Sequence, residues 1–216
     1  MNILSPSILS ADFTILGAQL KDIDEAGSEY IHIDVMDGIF VPSISYGMPV
    51  IKSIRKATKK VFDVHLMITE PERYINEFTE SGADIITFHV EATKNPEKVI
   101  DMIHEKGLKA GISVKPKTPL ETIEPYLEKI DMLLIMSVEP GFGGQAYIED
   151  STEKIRKARE MVKAHGLLTD IQVDGGINLQ NLPEVLEAGA NIIVAGSSVF
   201  KGDAAANVKE FLKIMK

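Results

Sequence analysis

Apolar residues alternate along this chain between two regimes: short runs of β-branched and aliphatic side chains, and longer stretches where they return every three or four positions. The runs near residues 3–8, 29–34, 61–66, 84–89, 109–114, 131–136, 170–174 and 192–196 read as strands. The stretches between them read as helices. Leu16, Leu20 and Ile23 fall at i, i+4 and i+7 and stop at Gly27, a left-handed cap. Pro71 opens a helix with Tyr74, Ile75 and Phe78 on its inner face, and Asn95-Pro96 starts another through Val99 and Ile103 to Gly107. A helix begun at Thr118-Pro119 is cut short by Pro125. A longer one starts at Asp150 or Ser151 and runs through Ile155, Ala158 and Val162 to Gly166, and a last one, capped by Asn181, ends near Leu186.

The junctions repeat. Ala26-Gly27-Ser28-Glu29-Tyr30-Ile31 is echoed by Ser81-Gly82-Ala83-Asp84-Ile85-Ile86 and by Ala188-Gly189-Ala190-Asn191-Ile192-Ile193, with a looser copy at Lys106-Gly107-Leu108-Lys109-Ala110. Each is a helix end, a glycine and a strand, so the chain is a series of βα units around a parallel sheet. Eight of them predict a TIM (β/α)8 barrel occupying residues 1–216 as one catalytic domain. An open doubly wound sheet is the alternative. Its glycine-rich dinucleotide fingerprint is missing after the first strand, where Ser7-Ile8-Leu9-Ser10 stands.

Composition narrows the partners. The 216 residues are 44% hydrophobic and 25% charged, which is ordinary globular usage. A formal charge of −9 argues against nucleic acid or an anionic membrane as partner, so an anionic ligand must be met locally. With no cysteine, a metal must be held by His, Asp or Glu. The first residues lack the basic and apolar regions of a signal peptide and no run reaches membrane-spanning length, so the expected location is the cytoplasm.

Candidate chemistry gathers at the predicted carboxyl ends of the strands, where barrels build their sites. His32 and Asp34 share one face of the second strand, His65 ends the third, His89 the fourth and Asp174 the seventh. A His-x-Asp pair alone is more often a hydrogen-bonded pair than a metal site, and it is the convergence from separate strands that favours one divalent ion, Zn, Fe, Mn or Co. His89, beside Glu91, reads as a satisfied structural histidine, Asp37 and Asp63 as turn and supporting groups, and His104 and His165 as solvated helix residues. Glycine-bearing loops follow strands six (Pro140 to Gln145), seven (Gly175-Gly176) and eight (Gly196-Ser197-Ser198), and their amides suit a phosphate. Met36, Met67 and Met136 fall at strand ends and read as core.

These motifs together resemble the ribulose-phosphate 3-epimerase family along essentially the whole chain. The likeness is carried by Ser5-Pro6-Ser7-Ile8-Leu9-Ser10-Ala11-Asp12-Phe13, His32 to Gly38 with Phe40-Val41-Pro42, Asp63-Val64-His65-Leu66-Met67, the Pro140-to-Gln145 loop and Val173-Asp174-Gly175-Gly176. It implies a ribulose-phosphate-binding barrel in a homo-oligomer. Within that barrel it implies a metal held by His32, Asp34, His65 and Asp174, with Asp34 and Asp174 as the acid/base pair. It further implies substrate contacts from Ser7, His65, Gly141, Phe142, Gly143, Gly144, Gly175, Gly176, Gly196 and Ser197. The chain departs from the family pattern at Ser43, Lys115, Lys117 and Glu139. Those departures leave room for a six-carbon ketose phosphate such as allulose 6-phosphate, and a non-catalytic phosphosugar-binding barrel is the reading from another class. Related decarboxylases carry Asp-x-Lys-x-x-Asp where this chain has Asp63-x-His65-x-x-Ile68, which argues against decarboxylation.

Overall fold

The runs of Ile, Val and Leu become eight parallel strands: β1 (Ile3–Pro6), β2 (Tyr30–Met36), β3 (Val61–Met67), β4 (Ile85–His89), β5 (Lys109–Val114), β6 (Met132–Met136), β7 (Asp170–Asp174) and β8 (Ile192–Ala195). The computed structural model describes all residues from Met1 to Lys216. Neighbouring strands pair in order from β2 to β8, and β8 pairs with β1. The seam between β1 and β2 closes through the bridge of Ser7 to His32. Pro6 ends β1, and having no N–H to give a ladder it keeps that strand short.

Period-two alternation sends Ile31, Ile33 and Val35 of β2 and Phe62, Val64 and Leu66 of β3 outward into the main core beneath the helices. The inward residues are different. Tyr30, Ile85, Met132 and Ile192, one from each even-numbered strand, form an apolar layer. Above it the interior turns polar: buried Asp63 accepts from Ser5 Oγ at 3.0 Å, Gln172 Nε2 at 2.5 Å and His32 Nδ1 at 2.8 Å.

The helices are α1 (Leu16–Glu25), α2 (Met48–Ile54), α3 (Ile75–Glu80), α4 (Pro96–Glu105), α5 (Asp150–Ala164), α6 (Leu182–Glu187), α7 (Ser197–Phe200) and α8 (Ala204–Ile214). Between β5 and β6 the chain forms only 3-10 turns, Leu120–Thr122 and Glu124–Lys129, as expected where Pro119 and Pro125 interrupt the ladder. The cap at Asn95 forms, its side chain accepting from Lys98 N–H at 3.2 Å.

Two expectations are corrected. Pro71 opens a 3-10 turn, Pro71–Arg73, and α3 starts only at Ile75, leaving Tyr74 outside it. α5 starts at Asp150 as expected, and its first turn carries the acidic Asp150 and Glu153 that favour its dipole. Asn181 does not cap α6: its Nδ2 donates to the Gly176 carbonyl at 3.0 Å and its Oδ1 accepts from Asn178 N–H at 2.8 Å, so it braces the loop after β7.

Two arginines pin helices to strands in the same way. Arg55, at the end of α2, donates to the Gly82 carbonyl and to Asp84, whose carboxylate also accepts from Phe62 N–H at 2.8 Å. Arg159, in α5, donates to the Gly189 carbonyl and to Asn191, whose side-chain oxygen also accepts from Ile171 N–H at 2.9 Å.

Candidate active site

β2 runs further than its sequence pattern implies, staying paired to β3 through Met36 and Met67. His32 and Asp34 therefore sit within the strand and not at its end. Their side chains still face the barrel axis, because they share the inward set with Tyr30 and Met36. His65 of β3 and Asp174 of β7 join them, and one ligand-type atom from each of these four residues lies within 4.8 Å of the others.

Both imidazoles are fully buried, and each faces both carboxylates. His32 Nε2 lies 3.2 Å from Asp34 Oδ1 and 3.8 Å from Asp174 Oδ2; His65 Nδ1 lies 3.2 Å and 3.7 Å from the same two oxygens. Asp34 also accepts from Ser7 Oγ at 2.6 Å. His32 Nδ1 is taken by Asp63, so the ring turns its Nε2 into the cluster, and that buried nitrogen makes no hydrogen bond of proper geometry.

Charge on the cluster follows from these contacts. Burial opposes a charge on either ring, but Asp34 and Asp63 outweigh it at His32 and hold its pKa well above the ordinary value. His65 is raised too, by Asp174 and Asp34 against burial. Burial pushes the Asp34 carboxyl up, and the His32 and His65 imidazoles more than offset this, holding it well below the usual carboxylate range. Two imidazoles whose protons are held by facing carboxylates suit a divalent cation, which would replace those protons and satisfy the orphaned His32 Nε2.

His65 uses its other nitrogen differently. Its Nε2 lies 2.9 Å from Nε2 of His89, and His89 Nδ1 lies 3.3 Å from Glu91 Oε2. Burial pushes His89 down to about 4, so the ring is neutral at neutral pH. Burial raises Glu91, but His89, Thr118 and the Lys115 N–H outweigh it and bring the carboxyl to about 2.

The mouth above the cluster is a cavity to which Asp34, Asp174 and Ser7 contribute. Gly141, Phe142, Gly143 and Gly144 line it from the loop after β6, Gly175 and Gly176 from the loop after β7, and Gly196 and Ser197 from the start of α7. His32 and His65 do not reach this surface and lie beneath the aspartates. Gly176 is held by close packing: its φ is +67°, and a Cβ there would stand 2.4 Å from the backbone nitrogen of Tyr147. Gln145 Nε2 shapes the β6 loop by donating to the carbonyls of Glu139 and Phe142, while Phe142 itself is 58% exposed at the tip.

Met36, Met67 and Met136, read from the sequence as core, are buried and also line the mouth. The unusual Lys115 lies away from it, with Nζ 4.0 Å from the Phe40 ring centroid and its N–H on Glu91. Asp37 is a turn residue accepting from the N–H groups of Ile39, Phe40 and Thr69. His104 and His165 sit at the helical periphery, paired with Asp131 and Glu124.

Comparison with known proteins adds to this geometry. The chain resembles solved barrels: 3-hexulose-6-phosphate synthase at TM-score 0.74 and 19% identity over the full length of both chains, and KGPDC from Streptococcus mutans at 0.73 and 15%, covering 100% of this chain and 97% of that one. At that identity the likeness extends to fold. Sequence relatives are much nearer. Proteins named ribulose-phosphate 3-epimerase are 52% identical in Synechocystis sp., covering 92% of this chain and 87% of the relative, and 47% identical in Bacillus subtilis, covering 91% of each. The ribulose-phosphate 3 epimerase family model matches residues 3–200. With that match spanning nearly the whole barrel and the sequence relatives agreeing, the chain belongs to the ribulose-phosphate 3-epimerase family.

Proposed function

We propose that this protein inverts C3 of a ketose phosphate, interconverting D-ribulose 5-phosphate and D-xylulose 5-phosphate, with one divalent metal ion held by His32, Asp34, His65 and Asp174. The observation that carries the reading is the meeting of carboxylates from two separated strands, β2 and β7, on the same pair of imidazole nitrogens. Inversion beside a ketone needs a proton removed from one face and one returned to the other. Asp34 and Asp174 fill those roles, one ionised and one protonated at the start of each turnover and exchanging states by its end. The ion, when bound, supplies Lewis-acid stabilisation of the negative charge that builds on the substrate's oxygens.

The remaining groups bind and exclude water. Amides of the glycine loops, with Gly196 and Ser197, take the phosphate. His65 acts from beneath as a ligand. Phe142 and its loop cover the substrate, and Met36, Met67 and Met136 give the carbon skeleton a polarizable apolar bed. The residues form one catalytic domain. The bacterial relatives are consistent with a cytoplasmic setting and the family likeness supports a homo-oligomer, and light scattering that returned a monomer's mass would remove the oligomer.

The test is an epimerase assay in D₂O, run before and after chelation. Activity falls at least a hundredfold on chelation and returns with one of Zn²⁺, Fe²⁺, Mn²⁺ or Co²⁺, and the product carries deuterium at C3. Full activity in the chelated protein removes the metal from the reading; product free of solvent deuterium removes the two-carboxylate scheme. Comparing kcat/KM for ribulose 5-phosphate and allulose 6-phosphate decides the substrate.

A further inference from the structure

We infer that Glu91 is a positioning residue for the metal site, acting through His89 to fix which nitrogen of His65 carries hydrogen. The inference rests on the proposed metal reading, and the contacts set its direction. A neutral imidazole that offers Nδ1 to an ion must carry its hydrogen on Nε2. His65 Nε2 faces His89 Nε2 at 2.9 Å, and only one of the two can be the donor. With His65 donating, His89 must accept there and hold its hydrogen on Nδ1, which points to Glu91 Oε2 at 3.3 Å. An ionised carboxylate only accepts, so Glu91 sets the sense of every hydrogen bond back to the cluster. His32 reaches the same end in one step, with Asp63 accepting directly from its Nδ1.

The outer end of this relay is fastened. Glu91 Oε1 accepts from the Lys115 N–H at 2.9 Å and from the Thr118 hydroxyl. Lys154 of α5 holds that loop in turn, its Nζ donating to the carbonyls of Lys115, Pro116 and Thr118 at 2.8, 3.0 and 2.7 Å. Phe40 covers His89, ring centroids 4.9 Å apart, and Lys115 Nζ lies 4.0 Å from the centroid of the same Phe40 ring. The segment in which this chain departs from its family is thus tied to the relay.

Nitrogen-15 NMR of histidine-labelled, metal-free protein reads the relay directly, and Zn²⁺ titration reads its consequence. Wild-type protein shows His65 with hydrogen on Nε2, beside the Nδ1 hydrogen that Asp34 Oδ1 accepts at 3.2 Å until an ion replaces it, and His89 with hydrogen on Nδ1. In Glu91→Gln the side-chain amide can donate to His89 Nδ1 and reverse the chain, so His65 loses its Nε2 hydrogen and keeps only the one on Nδ1, and the Zn²⁺ dissociation constant rises about 10- to 100-fold. Glu91→Asp keeps the acceptor and recovers the wild-type tautomers. Unchanged tautomers with Zn²⁺ affinity within twofold in Glu91→Gln would overturn the inference. Should that variant fail to fold, Thr118→Val carries the test from the outer end, with Zn²⁺ affinity at least threefold weaker expected and no change counting against it. Wild-type protein that binds no Zn²⁺ overturns the metal reading, while the tautomers still decide whether the relay exists.

Discussion

Replacing either aspartate of the cluster by asparagine lowers kcat by about 10³- to 10⁴-fold, the upper range for a positioned proton-transfer group. Asparagine keeps a side-chain oxygen that can face a cation, but it cannot take a proton from carbon. Asp34 and Asp174 come from β2 and β7 and approach the same nitrogens of His32 and His65. In the two-carboxylate scheme each variant keeps the base for one face only. Asp34→Asn therefore still exchanges the C3 hydrogen of one epimer with D₂O, and Asp174→Asn that of the other. Metal content measured on the same samples separates a lost base from a lost ligand. Variants that retain metal yet exchange neither epimer would sink the assignment of these two residues to opposite faces.

Asp63→Ala unfolds more easily than wild type by about 3–5 kcal/mol, the range for removing one partner of a buried charged pair. The carboxylate is fully buried and serves Ser5 Oγ, Gln172 Nε2 and His32 Nδ1 together. Its loss leaves three donors without that acceptor inside the barrel. For a chain of this size the melting temperature drops by roughly 10 °C. His32 also loses the acceptor that turns its Nε2 inward, so metal affinity falls with stability. Equilibrium urea unfolding checks the first effect and metal titration the second. A loss below about 1 kcal/mol, the net worth of one ordinary hydrogen bond, would mean the interior rearranges to rescue those donors.

How far these features can be read from sequence depends on the range of the interaction. The strands were legible because alternation is local, and observed ends differ from expected ones by a residue or two, as at Met36. The four clustered residues were legible because each stands on a strand beside apolar neighbours. α8 was missed although Ala204, Val208 and Phe211 keep helical spacing behind the Asp203 cap. α2 buries only Ile51 and Ile54 in seven residues, too few for a period to emerge. The role of His89 was hidden for a different reason. Its partner His65 is 24 residues away and meets it only because β3 and β4 are neighbours, so His89 alone looked merely satisfied. Asn181 looked like a cap since position and residue type both fitted, and only the bend after β7 redirects its side chain.

The twin arginine pins imply an internal dyad. Aligning Phe62 with Ile171, the amides held by Asp84 and Asn191, superposes β3 on β7 and matches Asp63 with Gln172 and His65 with Asp174. Carried through the strand pairing, the same rotation matches β2 with β6, His32 with Leu134 and Asp34 with Met136. The scaffold thus repeats after half a turn while its chemistry does not. One half-barrel supplies three of the four donors, and the other answers with thioether and aliphatic surface and the single aspartate. In the proposed reaction a carbon seated between the halves meets one carboxylate from each while both imidazoles stand on one side, so the same scaffold repeat carries the ligand cluster in one half and a lone proton-transfer group in the other.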